Sequence, residues 1–414
     1  MSHLAGSISQ AIVLDYGAED LLRRLSDPWW FQAFGCALGF DWHSSGLTTV
    51  TCGALKDAYR RLGDELGVVV AGGKGATSRK TPRELSEAAA RWSLPTAQGE
   101  GLVATSRLVA KVDSAAVQDG FQLYHHTFLF VPGSRAEAPP PWCVIQQGMD
   151  QRWARRYHWL GDEVVDLVNE PHSGLGAGSA APRSVLNLVA SEARACREAS
   201  AQLVLFEDPD RLVNELERLT EGPTLFAPDH HAVLPSDVNL PRLRGIVRRA
   251  HEAQPKDFQA LLGAEGVGPA TIRALALLAE LIHGAPPSRR DLRPRRWADM
   301  SYAHGGKDGH PFPVDRATYD RSIEVLREAV SRADAGQRDK ADALRRLAHL
   351  GGAALRTRPA SLPPAPPPSR PSRPPQPPRA SPQGPAPATT SSPPPRAKRL
   401  ARQLQLFPAR PQRG

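Results

Sequence analysis

The chain has 414 residues, of which 41% are hydrophobic, and its formal net charge at pH 7 is +9. This length and apolar content suffice for two domains of ordinary size. Because no apolar run approaches the ~20 residues of a membrane-spanning helix, we expect no membrane partner.

The positive charge belongs to the C-terminal part of the sequence. Residues 351–414 contain 11 Lys and Arg and no Asp or Glu, so the residues before them sum to about −2. A nucleic-acid surface on the folded part would therefore have to concentrate its cations locally. The four cysteines show no C-x-x-C spacing, which favours buried thiols in a reduced cytoplasm over a zinc or disulfide framework.

Alternating helical and extended signals predict an α/β or α+β domain over residues 1–205. An amphipathic stretch, GAEDLLRRLSDP, and an apolar one, WWFQAFGCALGF, come first. The segment LTTVT is predicted as a strand that leads into a helix, GALKDAYRRLGDEL, and GVVVA is predicted as the next strand.

A second set of signals completes this domain. Thr81, Pro82 and Glu84 predict a capping box that starts the helix TPRELSEAAARW. A helix around SRLVAKVDSAAVQD precedes two strands, FQLYHHTFLFV and PWCVIQQGM, which we expect to pair as a hairpin with a long loop.

The pattern turns helical in residues 206–350, with segments such as LPRLRGIVRRAHEA, PATIRALALLAELIHG and DRATYDRSIEVLREAVSRA. Pro and Arg then dominate, because 19 of the 40 prolines follow residue 352. We expect residues 351–402 to be a disordered linker and residues 403–414 to be a C-terminal binding peptide.

The segment LLGAEGVGPATIRALALL resembles the helix-hairpin-helix module that binds DNA. Gly266, Val267 and Gly268 supply the tight turn, and the N-terminus of the helix that follows presents unpaired N–H groups to a phosphate. The position after the proline is often basic in that module and is Ala270 here, so Arg273 is the nearest cation.

The tail ends in an apolar box that is similar to the peptides with which bacterial DNA polymerases and repair proteins bind the sliding clamp. Leu404, Leu406 and Phe407 would enter apolar pockets, and the Gln403 amide would fix the orientation of the peptide. The alternative is an apolar tail without a partner.

Polar clusters lie within apolar surroundings between residues 41 and 174, and YAHGGKDGHPFPVDR adds another. DWHSSGLTT, AGGKGATSRKTP, AKVDSAAVQDGFQLYHH, QQGMDQRWARRYHW and NEPHSG together resemble the bacterial and archaeal family known as domain of unknown function 763, over roughly residues 17–350. The resemblance implies no activity.

Carboxylates, imidazoles and a lysine in these clusters predict a divalent-metal site for phosphodiester hydrolysis, with Mg²⁺ or Mn²⁺ as the ion. The candidate catalytic residues are Asp41, His43, Lys111, Asp113, Asp119, His125 and His158. Asp41, His43, Asp113 and Asp119 are the candidate metal ligands. The alternative for each of them is a structural role as a hydrogen-bonded core residue or a turn former.

Two further points concern binding. The sequence Gly-Gly-Lys occurs twice, and it could place Lys74 and Lys307 on phosphates, but neither copy is a nucleotide-binding loop of the G-x-x-x-x-G-K-[ST] type. On the strand FQLYHHTFLFV, His125 and His126 should face opposite sides, so at most one joins a given site.

These features predict a DNA-processing protein of repair or replication in the cytoplasm, associated with the nucleoid and recruited to the sliding clamp. A metal-dependent nuclease is the first hypothesis. A non-catalytic DNA-binding adaptor tethered to the clamp is the second. The third is base excision as in DNA glycosylases, with Asp315 as the catalytic carboxylate.

Overall fold

The structure is a computed structural model that describes residues 1–40, 46–133, 138–150, 153–177, 185–221, 239–294, 296–299 and 316–356. One compact unit comprises Met1–Arg358. It mixes helices and strands, compatible with an α+β fold.

The strands of the described residues form two sheets. The strands are β1 Val69–Lys74, β2 Val117–Gln118, β3 Gln122–Phe130, β4 Trp142–Asp150, β5 Trp153–Leu160, β6 Gly174–Ala177, β7 Leu186–Asn187 and β8 Arg296–Asp299. The larger sheet has the order β1-β3-β4-β5-β6-β8, and the smaller one pairs β2 with β7. All neighbours in the larger sheet are antiparallel except β6 and β8, which are parallel.

Helices account for most of the remaining described structure. They are α1 Ser2–Tyr16, α2 Ala18–Leu25, α3 Pro28–Ala37, α4 Gly46–Leu62, α5 Thr81–Arg91, α6 Thr96–Lys111, α7 Arg194–Phe206, α8 Pro209–Glu221, α9 Leu240–Glu252, α10 Phe258–Gly263, α11 Pro269–His283, α12 Arg316–Arg332 and α13 Gln337–Arg356. One π-turn, Val112–Ala116, extends α6. Within the described residues, no helix is both long and apolar enough to cross a bilayer.

The larger sheet is the middle layer of three. Alternate strand residues such as Phe128, Val144 and Trp159 join a core with α5 to α11. The residues between them, such as Leu129 and Ile145, join a second core with α1 to α4, α12 and α13. The strands therefore bury both faces, which explains why β3 and β4 read as nearly continuous apolar runs.

The predicted domains 1–205 and 206–350 share both cores. The first cluster joins strand residues to α8, α9 and α11, and the second joins α1 and α3 to α12 and α13. The strand β8, from the segment predicted to be helical, also completes the sheet beside β6.

The prediction of a strand at LTTVT was wrong, because these residues form the first turns of α4. Thr48 and Thr51 are buried on that helix, and the Thr49 hydroxyl donates to the Gly46 carbonyl. Burial against the sheet outweighs the preference of β-branched residues for strands.

The helix predicted at Thr81 is present, but its capping box is not. Thr81 is the first helical residue rather than the N-cap, and its hydroxyl donates to the Ser78 carbonyl. The Glu84 carboxylate accepts instead from the Gly72 N–H at 2.7 Å and from the Lys56 ammonium at 2.6 Å. Glu84 thus anchors α5 to the end of β1.

Candidate functional site

A cavity of about 980 Å³, which we call the groove, lies between β3, α6 and the hairpin formed by α10 and α11. Its lining includes Ser78, Arg79, Ser106, Arg107, Lys111, Ser114, Tyr124, His125, His126, Gln146, Lys256, Asp257, Gly263, Glu265 and Gly266. The charged residues of this lining are four cations and two carboxylates. The groove therefore concentrates positive charge in a folded part whose total charge is close to zero.

A chain of hydrogen bonds runs from the wall of the groove into the core. The Ser106 hydroxyl lies 2.9 Å from His126 Nε2, and His126 Nδ1 lies 2.8 Å from Gln146 Oε1. Gln146 Nε2 donates to Asp113 Oδ2 at 2.5 Å. All four side chains are buried, and Ser106, His126 and Gln146 are also part of the groove lining.

Local structure explains how these residues meet. Ser106 lies on α6 and Asp113 in the π-turn that extends it. His126 and Gln146 are direct partners in the register of β3 and β4. A register shift between Leu123 and His125 interrupts that ladder beside the groove; such bulges are frequent next to active sites.

Asp113 is a core residue whose two oxygens both have partners. Oδ2 also accepts from the Trp159 indole at 2.9 Å, and Oδ1 lies 2.5 Å from His172 Nε2. This carboxylate therefore orients Gln146 and His172, which is the structural alternative to the predicted metal ligand.

The alternation of β3 sends its two histidines to different faces, as expected. His125 Nε2 lies 2.9 Å from the Thr127 hydroxyl, and its Nδ1 has no partner among the described residues. Burial lowers the pKa of His125 to about 3 and also lowers the pKa of His126. Both imidazoles are neutral near pH 7, and it is His126 that bonds to Ser106 and Gln146.

Asp119 belongs to a separate buried network. Its carboxylate pairs with Arg155 at 3.1 Å and accepts from the Tyr157 hydroxyl at 2.6 Å and from the Phe121 N–H at 3.1 Å. Burial raises the pKa of Asp119, against the opposing effect of Arg155. Asp119 is not among the residues that line the groove.

His158 lies on the opposite face of the sheet from Trp159. Its Nε2 accepts from Arg156 Nε at 2.7 Å, and its Nδ1 lies 3.1 Å from the Leu25 carbonyl. Burial holds the pKa of His158 well below its usual range. The structure thus places this predicted catalytic residue in a satisfied core network.

Lys111 lines the groove, but its ammonium group is hydrogen-bonded to the hairpin. Its ammonium donates to the carbonyls of Ala264 at 2.6 Å and Gly263 at 3.2 Å, and burial lowers its pKa. Because these carbonyls end α10, the lysine neutralises the negative end of that helix. It links α6 to the hairpin.

The hairpin consists of α10, a short turn and α11. Gly266 adopts φ +79°, a conformation that favours glycine. Val267 is buried beneath the turn. Gly268 is the N-cap of α11 and Pro269 its first residue. Ala270 is exposed, so the N-terminus of α11 faces solvent.

Two of the predicted DNA-contacting cations have partners within the protein. Arg273 donates to Gln118 Oε1 at 2.8 and 3.0 Å. Lys74 is exposed at the end of β1, and its ammonium lies 5.9 Å from the centre of the Tyr124 ring. Lys74 therefore stands beside the groove, whereas Arg273 braces α11 against β2.

Some predicted residues lie outside the described part of the chain: Asp41, His43, Lys307, Asp315, Gln403, Leu404, Leu406 and Phe407. Within the described ranges, no three His, Cys, Asp or Glu side chains come together as a possible metal site.

The sequence interpretation missed Ser106, Gln146 and the groove cations Arg79, Arg107 and Lys256. The sequence did contain a signal for the contact between His126 and Gln146, since FQLYHHTFLFV and PWCVIQQGM each carry adjacent polar residues inside an apolar run. Once β3 and β4 pair in register, these polar residues must face each other. The register itself could not be read from the sequence.

A model of one protein family, described as "Protein of unknown function (DUF763)", matches residues 1–314. No curated protein and no solved structure matches the chain.

Proposed function

The chain belongs to the DUF763 family, and we propose that it is a DNA-processing protein that binds DNA along the groove and cleaves phosphodiester bonds there. One observation carries the proposal. A single cavity is lined on one wall by the hairpin residues Gly263, Glu265 and Gly266, and on the other by Ser106 and His126. It thus places the turn that precedes α11 in the same cavity as a hydroxyl and an imidazole, which are the groups of a nucleophile and a base.

The hairpin supports DNA binding through the N-terminus of α11. The N–H groups of Ala270 and Thr271 lie in the first turn of the helix, where no intrahelical carbonyl can accept from them. Gly268 has no side chain to cap them, and the nearest atom to a Cβ placed there would be 3.9 Å away. This opening suits one phosphate oxygen and the helix dipole favours its charge.

The cations of the groove support the same substrate. Arg79, Arg107 and Lys256 are exposed along its lining. Guanidinium and ammonium groups bind successive phosphates without reading the bases. We therefore expect binding that depends strongly on salt and weakly on sequence.

His126 supports catalysis. It is neutral, it lines the groove and it has a hydroxyl within hydrogen-bond reach, which are the properties of a general base. The metal dependence that the sequence predicts remains a prediction, with Asp41 and His43 as the candidate ligands.

The second candidate function is a DNA-binding adaptor without catalysis. The bonded state of Asp113, Asp119 and His158 favours it, because three of the predicted catalytic residues have structural roles in the core. In both functions we propose that Gln403, Leu404, Leu406 and Phe407 bind the sliding clamp, so that tethering raises the concentration of the protein at DNA.

The test is cleavage of end-labelled single-stranded, duplex, flapped and abasic DNA with Mg²⁺, Mn²⁺ or EDTA. We expect strand cleavage by the wild-type chain and a loss of about 10²-fold or more in His126→Gln. His283→Gln, at the end of α11 and outside the groove lining, is the matched control and should cleave normally. Binding without cleavage under every condition would favour the adaptor, and release of bases without metal would favour a glycosylase.

A further inference from the structure

The chain of hydrogen bonds behind the groove fixes the positions of its protons. Gln146 Nε2 donates to Asp113 Oδ2 at 2.5 Å and to the Val109 carbonyl at 3.2 Å, and a backbone carbonyl can only accept. The amide oxygen of Gln146 must then be the atom that faces His126. It accepts from Nδ1, which therefore carries the proton.

This tautomer leaves His126 Nε2 as an acceptor. The atom within its reach is the Ser106 hydroxyl, 2.9 Å away, which must be the donor. Burial lowers the pKa of His126, so the imidazole is neutral near pH 7 and its Nε2 lone pair is free to accept a proton. A hydroxyl, a neutral imidazole and an acceptor that orients the imidazole are the three parts of an activated serine.

The same wall of the groove contains a serine that lacks this arrangement. Ser114 lines the groove and is exposed, but its hydroxyl donates to the Ala110 carbonyl at 2.7 Å. Its proton is used within the helix, and no imidazole accepts it. Both serines are part of the groove lining, Ser106 buried and Ser114 exposed, and they differ in activation.

We infer that Ser106 is a nucleophile that attacks phosphorus, with His126 as its general base and Gln146 and Asp113 as positioning residues. The inference rests on the proposed function for its natural substrate, a phosphodiester of DNA. Asp113 acts only through Gln146, because its oxygens bond to Gln146, Trp159 and His172.

The chemical step balances within these groups and water. His126 Nε2 takes the hydroxyl proton as Ser106 Oγ forms a bond to phosphorus, and the bond from phosphorus to the leaving oxygen breaks. The imidazolium returns the proton to that oxygen. Water then attacks phosphorus of the serine–DNA phosphodiester with His126 again as base. The bond from phosphorus to Ser106 Oγ breaks, and the imidazolium returns its proton to Oγ.

The experiment uses diisopropyl fluorophosphate on the full chain, so that nucleophilicity is measured without DNA. Attack by a serine forms an O–P bond and releases fluoride, and intact mass with peptide mapping locates the adduct. We expect one adduct per chain at Ser106, lost in Ser106→Ala and slowed about 10²-fold or more in His126→Gln. Ser114→Ala should label as the wild type does.

Denaturing gels of the same variants with labelled DNA separate this inference from the proposed function. An adduct at Ser106 without DNA cleavage would support the nucleophile and contradict phosphodiester cleavage as the function. DNA cleavage that persists in folded Ser106→Ala, with no adduct on the wild type, would overturn the inference and leave the function standing. Labelling spread over exposed serines and unaffected by His126→Gln would also overturn it.

Discussion

At the residue scale, the larger sheet contains histidines that are buried and neutral. Burial lowers the pKa of His125, His126 and His158 below the value in the unfolded chain. Between those values the unfolded chain binds more protons than the folded one. Stability is therefore fully present above the unfolded pKa of about 6.5 and is lost as pH falls towards the folded values.

We expect the free energy of unfolding to fall by about 2 kcal/mol between about pH 7.5 and pH 5 from His125 alone, given its folded pKa of about 3. Urea denaturation at both pH values measures this. His125→Gln should reduce the change in unfolding free energy between the two pH values. His3 is exposed on α1, so His3→Gln should leave that change as it is in the wild type. Stability that does not decrease towards pH 5 would contradict the burial of neutral histidines.

A second prediction at this scale concerns Ala270, the second residue of α11 and exposed. We expect Ala270→Lys to tighten DNA binding by about threefold and Ala270→Glu to weaken it by a similar factor. The effects on stability should be opposite: Ala270→Glu should raise the melting temperature and Ala270→Lys should lower it, because an acidic residue is favourable at a helix N-terminus. Binding titrations together with melting curves therefore separate a phosphate contact from a change in stability, and parallel changes in both would contradict the contact.

At the element scale, the end of β1 is held by a close approach that only glycine allows. Gly72 has φ +89°, and a Cβ there would lie 2.2 Å from the His126 carbonyl oxygen. The same residue donates its N–H to Glu84. Gly72 thus fixes β1 against β3 at His126 and, through Glu84, fixes α5 as well.

We expect Gly72→Ala to lower the free energy of unfolding by at least about 2 kcal/mol, from positive-φ strain and the clash. Gly101→Ala is the control, because Gly101 is an exposed position inside α6 where an added Cβ would have nothing within 4 Å; it should stabilise the protein by up to about 1 kcal/mol. Chemical denaturation measures both, and equal effects of the two substitutions would contradict the close approach.

The elements also show what the sequence could predict. Periodic segments such as α9, α11 and α12 are present where their apolar spacing places them. The strand prediction at LTTVT was wrong because tertiary burial outweighed the local preference of these residues. The strand β5 was not predicted, because its sequence, WARRYHWL, contains several polar residues. In β5 the buried Arg155 and Arg156 have partners distant in sequence, Asp291 and Gln32, which local patterns do not reveal.

At the scale of the whole molecule, the groove joins segments more than 100 residues apart in the sequence. The helices α6 and α11 were each predicted from local sequence, but the contact of Lys111 on α6 with the Ala264 carbonyl before α11 could not be. The charge argument from the sequence also concerns the whole molecule. A folded part close to neutrality would have to concentrate its cations in order to bind nucleic acid, and Arg79, Arg107 and Lys256 lie along one cavity.

The most direct test of the account is DNA affinity after reversing one charge inside the groove and one outside it. Arg107 lines the groove and is exposed, whereas Arg338 is exposed on α13, which packs in the opposite helical layer. Fluorescence anisotropy with labelled DNA, over a series of salt concentrations, would compare Arg107→Glu with Arg338→Glu. We expect Arg107→Glu to raise Kd about tenfold. The slope of log Kd against log salt concentration should fall by about one, the value for one phosphate contact, while Arg338→Glu binds as the wild type does. Equal effects of the two substitutions, or none at Arg107, would contradict the groove as the DNA site.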